Sequence, residues 1–206
     1  SHCNIFRRVG DCIMPREGVF AIVKNGGVMK TGDIMVAEFP VADAPLRAAV
    51  MTLSDKGFAG ERVDESGPKA VAMLEAAGYE IVETLLLPDA QKKIERELIR
   101  LADSRQVDLI ITTGGTGMSV RDCTPEATLA VATRNVPGIA EAIRAGSMAI
   151  TKRAMLGRGA SVLRNNTLIV NLPGSVKAVE ESLEIVLPEL EHGLRILKGS
   201  ANECGR

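Results

Sequence analysis

The sequence predicts an α/β protein with three layers, in which helices cover both faces of a mostly parallel central sheet. Beyond Leu46, short apolar runs alternate with segments of helical periodicity. This alternation is typical of parallel sheets whose strands are buried on both faces. Aromatic residues form only 2% of the 206-residue chain and Trp is absent, so Leu, Ile, Val, Ala and Met must fill the core. An aromatic-rich β-sandwich fits this composition less well.

The first strand, the first helix and the second strand are predicted between residues 47 and 87. Arg47–Leu53 is a continuous apolar run, as expected for a strand buried on both faces. Residues 64–77 carry apolar side chains at helical spacing, and Gly78 is suited to end that helix. Residues 79–87 are predicted to form the next strand, which gives the strand–helix–strand order of an α/β sheet.

The third strand is predicted to run directly into a glycine-rich turn. Residues 90–102 form the preceding helix, and residues 107–112 form the strand that leads to Gly114. The following helix is predicted to open at Thr124-Pro125, because Thr is a good N-cap and Pro suits the first helical position.

The last predicted elements are a helix, a hairpin and a long closing helix. Pro137–Ile150 is expected to be helical, and residues 161–164 and 167–171 are expected to pair as a hairpin. Residues 175–197 have the pattern of a long helix. Pro188 lies inside it and is expected to kink or break it.

Ahead of this unit, the sequence predicts a small β segment over residues 1–40 and a linker over residues 41–46. The linker contains proline and small residues, a common boundary composition. A β segment of about forty residues would be marginal alone, so it must dock on the rest, pair with another chain or belong to a larger domain. The α/β domain is predicted over residues 47–200.

Composition and charge exclude several classes of protein. Lys and Arg total 25 and Asp and Glu total 26, so the formal net charge is -1, whereas nucleic-acid-binding proteins are typically basic. We find no apolar stretch of about 18 residues and no secretory signal, so no membrane association is expected. The cysteines form no CxxC pair and are expected to be reduced thiols of a cytoplasmic protein. They are Cys3, Cys12, Cys123 and Cys204.

The turn after the third strand has the features of a phosphate site. Glycines at 114, 115 and 117 let backbone N–H groups face an anion, and the helix near Thr124 adds partial positive charge. Thr113, Thr116 and Ser119 supply hydroxyl donors. The pattern is not GxxxxGK[ST], so this is not a P-loop of that type. On their own, the glycines are explained equally well by a structural turn.

Carboxylates follow each of the three predicted parallel strands. Asp55 follows the first strand, Asp89 the second, and Asp122 lies close after the third. Because ligands bind at the carboxyl ends of strands in open α/β sheets, the three side chains could meet in one crevice. Carboxylates beside phosphate require a cation such as Mg²⁺, which indicates metal-assisted phosphoryl or nucleotidyl transfer.

Simpler interpretations of these acidic residues stay open at this point. Asp89 could be only the N-cap of the helix that begins at residue 90. Asp122 could pair with Arg121 or cap the helix at Thr124, and Ser54-Asp55 could form a plain turn. Asp64 is also a plausible N-cap.

Residues 113–128, TGGTGMSVRDCTPEAT, resemble the signature of the MogA/MoaB family. Other pieces fall in the family's order, and the similarity runs from about residue 47 to residue 198. They are LSD at 53–55, DESG at 64–67, LPD at 87–89, PGxxE at 137–141 and NLPGS at 171–175. The resemblance implies a molybdopterin-binding α/β fold and an enzyme that attaches AMP from ATP to molybdopterin with Mg²⁺, releasing pyrophosphate.

The resemblance also implies roles for residues of this chain. The catalytic and metal-binding aspartates would be Asp89 and Asp122. Nucleotide and phosphate would be bound by Thr113, Gly114, Gly115, Thr116, Gly117, Ser119, Arg121, Glu141 and Ser147. Molybdopterin would be bound by Ser54, Asp55, Asp64, Asn171, Pro173, Gly174 and Ser175.

The resemblance leaves assembly and some alternatives open. It implies a homotrimer or a hexamer that works with other proteins of molybdenum-cofactor synthesis. A scaffold domain without catalysis, a molybdenum-insertion enzyme and a nucleotide hydrolase are the alternative functions. The RDCTPEA sequence argues against the insertion enzyme, and the Asp89 and Asp122 pair favours the adenylyltransferase over the scaffold. Residues 3–33 resemble the end of a MOSC domain, a β-rich module of molybdenum-cofactor chemistry.

Overall fold

The computed structural model describes Val28, Lys30 and residues 44–199. The part from residue 44 onward belongs to a compact unit that spans Pro40–Arg206. The predicted β segment over residues 1–40 and the MOSC-like stretch lie outside the described residues, apart from those two positions. The same holds for three of the cysteines, Cys3, Cys12 and Cys204.

Residues 44–199 form a six-stranded sheet with the strand order β2-β1-β3-β6-β5-β4. The strands β2, β1, β3 and β6 are parallel. The strand β5 pairs antiparallel with β6, and β4 pairs antiparallel with β5. The prediction of a mostly parallel sheet is therefore confirmed. The strands are β1 (Arg47–Leu53), β2 (Glu80–Leu87), β3 (Leu109–Thr113), β4 (Arg134–Asn135), β5 (Ser161–Arg164) and β6 (Thr167–Leu172).

The helices cover both faces of this sheet. Alternate side chains of β1 point to opposite faces, as a strand requires. Val50 packs in a cluster with α2, α5 and α6, whereas Met51 packs in a second cluster with α3 and α4. The three predicted layers are thus confirmed. The helices are α1 (Asp55–Phe58), α2 (Ser66–Ala76), α3 (Gln91–Ile99, continued by a π-helical turn Arg100–Ser104), α4 (Thr124–Ala130), α5 (Pro137–Ile150) and α6 (Val176–Leu197).

The structure contradicts one local prediction about helices and the predicted break, though not the kink, of another. Cys123, not Thr124, is the N-cap of α4, because the Thr124 hydroxyl donates to the carbonyl of Gly114 instead. The helix α6 continues without a break through Pro188. Pro188 and Glu184 both lie on the exposed side of α6, so the carbonyl that loses its donor to the proline ring can bond water.

Three short elements were not predicted. They are α1, the two-residue strand β4 and a 3₁₀ helix over Lys152–Leu156. Each is too short for the hydrophobic pattern to repeat along it, so sequence periodicity cannot reveal it. Among residues 44–199, no helix combines the length and the apolar character that crossing a membrane would require.

Candidate active site

The glycine turn after β3 is a tight structure that only glycine can form. Gly114 and Gly115 have φ angles of +91° and +62°, a region that side chains with a Cβ rarely adopt. A Cβ on Gly114 would strike the carbonyl oxygen of Leu53 at the end of β1. A Cβ on Gly115 would strike Thr124 Oγ1 and lie 2.8 Å from Asp89 Oδ1. The turn is therefore structural, and it also closely approaches an acidic side chain.

Asp89 and Asp122 both face this turn. The position that a Cβ on Gly115 would occupy is 2.8 Å from Asp89 Oδ1, and the corresponding position on Gly117 is 2.9 Å from Asp122 Oδ2. Both carboxylates also line one cavity of about 560 Å³. The parallel order of β1, β2 and β3 produces this convergence, because their carboxyl ends meet at the same edge.

A reciprocal pair of hydrogen bonds holds Asp89 against Asp55. The N–H of Asp55 donates to Asp89 Oδ2 at 3.1 Å, and the N–H of Asp89 donates to Asp55 Oδ1 at 3.0 Å. Arg121 then donates to the Asp55 carboxylate through Nε at 2.9 Å and NH2 at 3.0 Å. Asp55 thus orients its neighbours, and it does not line this cavity.

These contacts overturn the simpler interpretations of Asp89 and Asp122. Ala90, not Asp89, is the N-cap of α3, and the cap makes no side-chain hydrogen bond. Asp122 pairs with neither Arg121 nor the start of α4. Its Oδ2 accepts the N–H of Ser119 at 3.1 Å, a contact within the loop of residues 116–122, which we call the Asp122 loop.

Burial raises the pKa of Asp89 above the ordinary value for aspartate. The negative charges of Asp55 and Asp122 act in the same direction, whereas the N–H donated by Asp55 acts against it. Asp89 Oδ1 is buried and has no hydrogen-bond partner. A shielded carboxylate oxygen without a donor is well suited to a cation, which would offset the free energy lost on its desolvation.

The raised pKa of Asp89 predicts a pH-dependent effect of Asp89→Asn on stability. A carboxyl whose pKa is raised by folding stabilises the protein below its unfolded pKa of about 3.9, and this contribution is lost as pH rises through the folded value. We therefore expect the Tm of Asp89→Asn, relative to the unmodified chain, to increase between about pH 3.5 and pH 7. Thermal unfolding without divalent cations measures it.

Glu83 provides a control of opposite sign. The hydrogen bond from Arg100 at 2.6 Å holds the pKa of Glu83 below its usual value, and Arg105 adds to this. Its stabilising contribution is present above the unfolded pKa, so Glu83→Gln should lose Tm relative to the unmodified chain over the same rise in pH. A Tm difference for Asp89→Asn that stays constant with pH would contradict the raised pKa.

A second cavity of about 600 Å³ is also lined by the glycine turn. Both cavities have the size of small-molecule sites. Asp122 lines both cavities, so its carboxylate lies where ligands bound in the two cavities would meet. The remaining shared lining residues are Gly114, Gly115, Gly174 and Ser175.

The predicted molybdopterin residues are divided between these cavities. Ser54 and Asp64 line the first, whereas Asn171 and Pro173 line the second. Asp64 also accepts the N–H of Gly67 at 3.0 Å in the first turn of α2, so its predicted capping role is present although Glu65 is the formal N-cap.

The side chains of two predicted molybdopterin-binding residues make hydrogen bonds within the protein. The amide nitrogen of Asn171 donates to Thr112 and Thr128 hydroxyls, both at 2.9 Å, and its oxygen accepts the N–H of Ala160 at 3.1 Å. The Ser175 hydroxyl accepts an N–H from the first turn of α6 and is its N-cap. The Asn171 side chain therefore shapes the cavity wall, whereas the Ser175 hydroxyl keeps its O–H donor for a ligand.

Of the predicted nucleotide and phosphate residues, most line a cavity. Thr113 lines the first cavity, and Thr116, Gly117 and Ser147 line the second. The structure does not bring the others to the cavity walls. Ser119, Arg121 and Glu141 are exposed and line neither cavity, although Ser119 and Arg121 contact aspartates of the site.

Sequence reasoning missed basic residues of the second cavity. Arg144 and Arg153 both line it, and Arg144 donates to the carbonyl of Gly159 at 2.9 Å. Arg144 precedes Ser147 by one helical turn, so helical spacing could have revealed it. Arg153 lies on the unpredicted 3₁₀ helix, and no periodic signal marks it.

Fold and site together define a class of protein. At the carboxyl edge of its parallel sheet, the chain has a glycine turn, paired carboxylates and two adjoining cavities. These features are typical of α/β proteins that bind phosphorylated ligands at that edge. A family model described as "Probable molybdopterin binding domain" matches residues 49–192, and this chain belongs to that family. The similarity to MogA and MoaB predicted from the sequence is thus confirmed.

Individual relatives agree with this assignment. The chain is 43% identical over 143 residues to the molybdopterin adenylyltransferase of Haemophilus influenzae, which is 68% of this chain and 73% of the relative. It is 35% identical over 160 residues to the enzyme of that name from Helicobacter pylori, with 75% and 89% covered. Among solved structures, it is similar to the molybdopterin biosynthesis enzyme MoaB of Thermus thermophilus. The TM-score is 0.72 and the identity 44%, with 75% of this chain and 97% of that chain covered.

Proposed function

We propose that this chain is a molybdopterin adenylyltransferase. It transfers AMP from ATP to the terminal phosphate of molybdopterin and releases pyrophosphate. The observation that carries this proposal is the position of Asp122 and the glycine turn, which form the wall shared by two ligand-sized cavities. The reacting groups of two substrates, one in each cavity, would meet beside these shared residues.

The reaction requires positioning and charge neutralisation more than acid–base chemistry. An oxygen of the molybdopterin phosphate forms a bond to the α-phosphorus of ATP, and the bond from that phosphorus to the bridging oxygen breaks, so pyrophosphate leaves. The attacking phosphate is already ionised near neutral pH. No histidine lines either of the two cavities in the described part of the chain, which is consistent with this chemistry. Backbone N–H groups of the glycine turn would stabilise phosphate charge.

The site fits a magnesium ion. Carboxylate oxygens are hard ligands, and the buried oxygen of Asp89 has no protein donor. No cluster of three or more His, Cys, Asp or Glu side chains arranged for a metal occurs among the described residues. Mg²⁺ needs only one or two carboxylates, because substrate phosphates and water complete its shell. Asp89 and Asp122 would hold the ion, and it would supply neutralisation of the phosphate charge.

The proposal is tested by incubating the protein with molybdopterin, ATP and Mg²⁺. Mass spectrometry should detect adenylylated molybdopterin, with one pyrophosphate released for each product molecule. Product should be absent when any one component is omitted. Binding of molybdopterin without product would indicate the scaffold function instead, and ATP consumption without molybdopterin would indicate a hydrolase.

We also propose that residues 47–200 form the catalytic unit. Every proposed site residue lies between Ser54 and Ser175, in the α/β domain. Removing residues 1–40 should therefore leave adenylyl transfer in the same range as for the full chain, measured by the same assay. Complete loss with unchanged circular dichroism would contradict this division.

The resemblance to the MogA/MoaB family extends the proposal to assembly and location. We propose a homotrimer or a hexamer that works in the cytoplasm beside other proteins of molybdenum-cofactor synthesis. Light scattering after size-exclusion chromatography measures the assembly, and a monomer would contradict it.

A further inference from the structure

Arg158 joins the two ends of the Asp122 loop. Its backbone N–H donates to the carbonyl of Thr116 at 2.9 Å, and its Nε donates to the carbonyl of Gly117 at 2.6 Å. Its NH2 group donates to the carbonyl of Asp122 at 2.8 Å, and its NH1 group forms an ion pair with Glu126. One half-buried side chain therefore closes the loop and fastens it to the first turn of α4.

The loop has few other attachments along its length. Val120 is fully exposed at its tip, and Ser119 beside it is also exposed. The bond from the Ser119 N–H to the Asp122 carboxylate lies within the loop itself. Arg121 provides a further tie by its bidentate ion pair with Asp55, but both partners are substantially exposed, so solvent screens this tie more than the bonds that Arg158 donates to the backbone carbonyls of the loop.

We propose that Arg158 is a positioning residue, which holds the Asp122 loop so that the Asp122 carboxylate faces the shared wall of the two cavities. This inference rests on the proposed adenylyl transfer for its catalytic consequence, whereas the ordering of the loop stands independently. Arg158 lines neither of the two cavities, so its effect on the reaction passes through the loop.

The geometry requires a guanidinium group. Arg158 donates to two carbonyls and a carboxylate from three separate nitrogen atoms in a planar fork. A lysine keeps the charge, but its single ammonium cannot reach these three acceptors in the same arrangement. Arg158→Gln and Arg158→Lys are therefore both expected to release the loop, and the Lys variant keeps the proposal testable if the Gln variant fails to fold.

Arg164 offers a matched control at the opposite end of α4. Its NH1 group donates to the carbonyl of Val131 at 2.9 Å, and it forms an ion pair with Asp103 at 2.5 Å. It thus fastens the same helix by the same type of contacts. Arg164 and its partners line neither cavity. Arg164→Gln should remove a comparable set of bonds without affecting the Asp122 loop.

Hydrogen exchange measures the position of the loop without reference to activity. In Arg158→Gln, the amides of residues 117–123 should exchange about tenfold faster or more than in the unmodified protein, with the Ser119 amide most affected. Arg164→Gln should leave these amides unchanged. Unchanged exchange of this segment in both Arg158 variants would overturn the proposal, whatever reaction the protein performs.

Kinetics then test the consequence for catalysis. In Arg158→Gln, kcat should fall about tenfold or more while KM for ATP changes less than about twofold, because most residues that line the two cavities lie outside the Asp122 loop, whereas Asp122 itself is misplaced. The Mg²⁺ concentration for half-maximal rate should rise, and Arg164→Gln should alter neither value. Faster exchange with unchanged kcat would overturn the catalytic part. No product from the unmodified protein would instead reject the proposed function, and exchange would still decide the role of Arg158.

Discussion

Replacing Asp122 by Asn is expected to lower the rate of AMP transfer at least about 100-fold, the range seen when one charge-stabilising group is removed from an active site. Asp122 Oδ2 accepts the N–H of Ser119, and an Asn oxygen can keep that bond. The amide nitrogen would then present a donor where the carboxylate offered negative charge to a cation. The loop should keep its shape while the proposed Mg²⁺ site loses a ligand.

Single-turnover assays that detect adenylylated molybdopterin by mass spectrometry measure this loss. Asp103→Asn is the control, because Asp103 forms an ion pair with Arg164 and lines neither of the two cavities. Its turnover should stay within about twofold of the unmodified protein, since a partly exposed ion pair contributes little. Turnover of Asp122→Asn within that same margin would remove Asp122 from the mechanism.

The convergence of Asp89 and Asp122 was predictable from the sequence because it depends on topology alone. Continuous apolar runs identified β1 as a strand buried on both faces, and its predicted bounds match the structure. Once β1, β2 and β3 are parallel, whatever follows each strand must meet at one edge. The hairpin of β5 and β6 was predictable from its turn, because asparagine tolerates a positive φ and Asn165 has a φ of 51° there.

The contacts that fix the orientation of these aspartates could not be predicted in this way. Asp55 and Asp89 are 34 positions apart, and their reciprocal hydrogen bonds depend on how α1 begins after β1. Arg158 reaches the carbonyl of Asp122 from 36 positions away. A backbone carbonyl acceptor has no signature in the sequence, so an arginine that binds one cannot be told from a solvated surface charge until the fold is known.

Gly115→Val is expected to abolish detectable AMP transfer and to weaken ATP binding about tenfold or more. The φ angle of +62° strains a branched side chain by about 1–3 kcal/mol. In addition, the new Cβ would strike Thr124 Oγ1 and approach within 2.8 Å of Asp89 Oδ1. Either the valine or Asp89 must move, so the turn and the carboxylate cannot both keep their places around a phosphate. Calorimetric titration with ATP and Mg²⁺ measures the affinity.

Gly60→Val separates the backbone strain from the collision. Gly60 has a similar φ of +77°, but a Cβ there would meet no atom within 4 Å. This control should lose a comparable part of its free energy of unfolding and still bind ATP and transfer AMP normally. If Gly115→Val behaved like Gly60→Val, with lower Tm and unchanged ATP affinity, the glycine turn would be a structural corner rather than a phosphate site. A selective loss in Gly115→Val would show that the space between the turn and Asp89 is needed for the nucleotide.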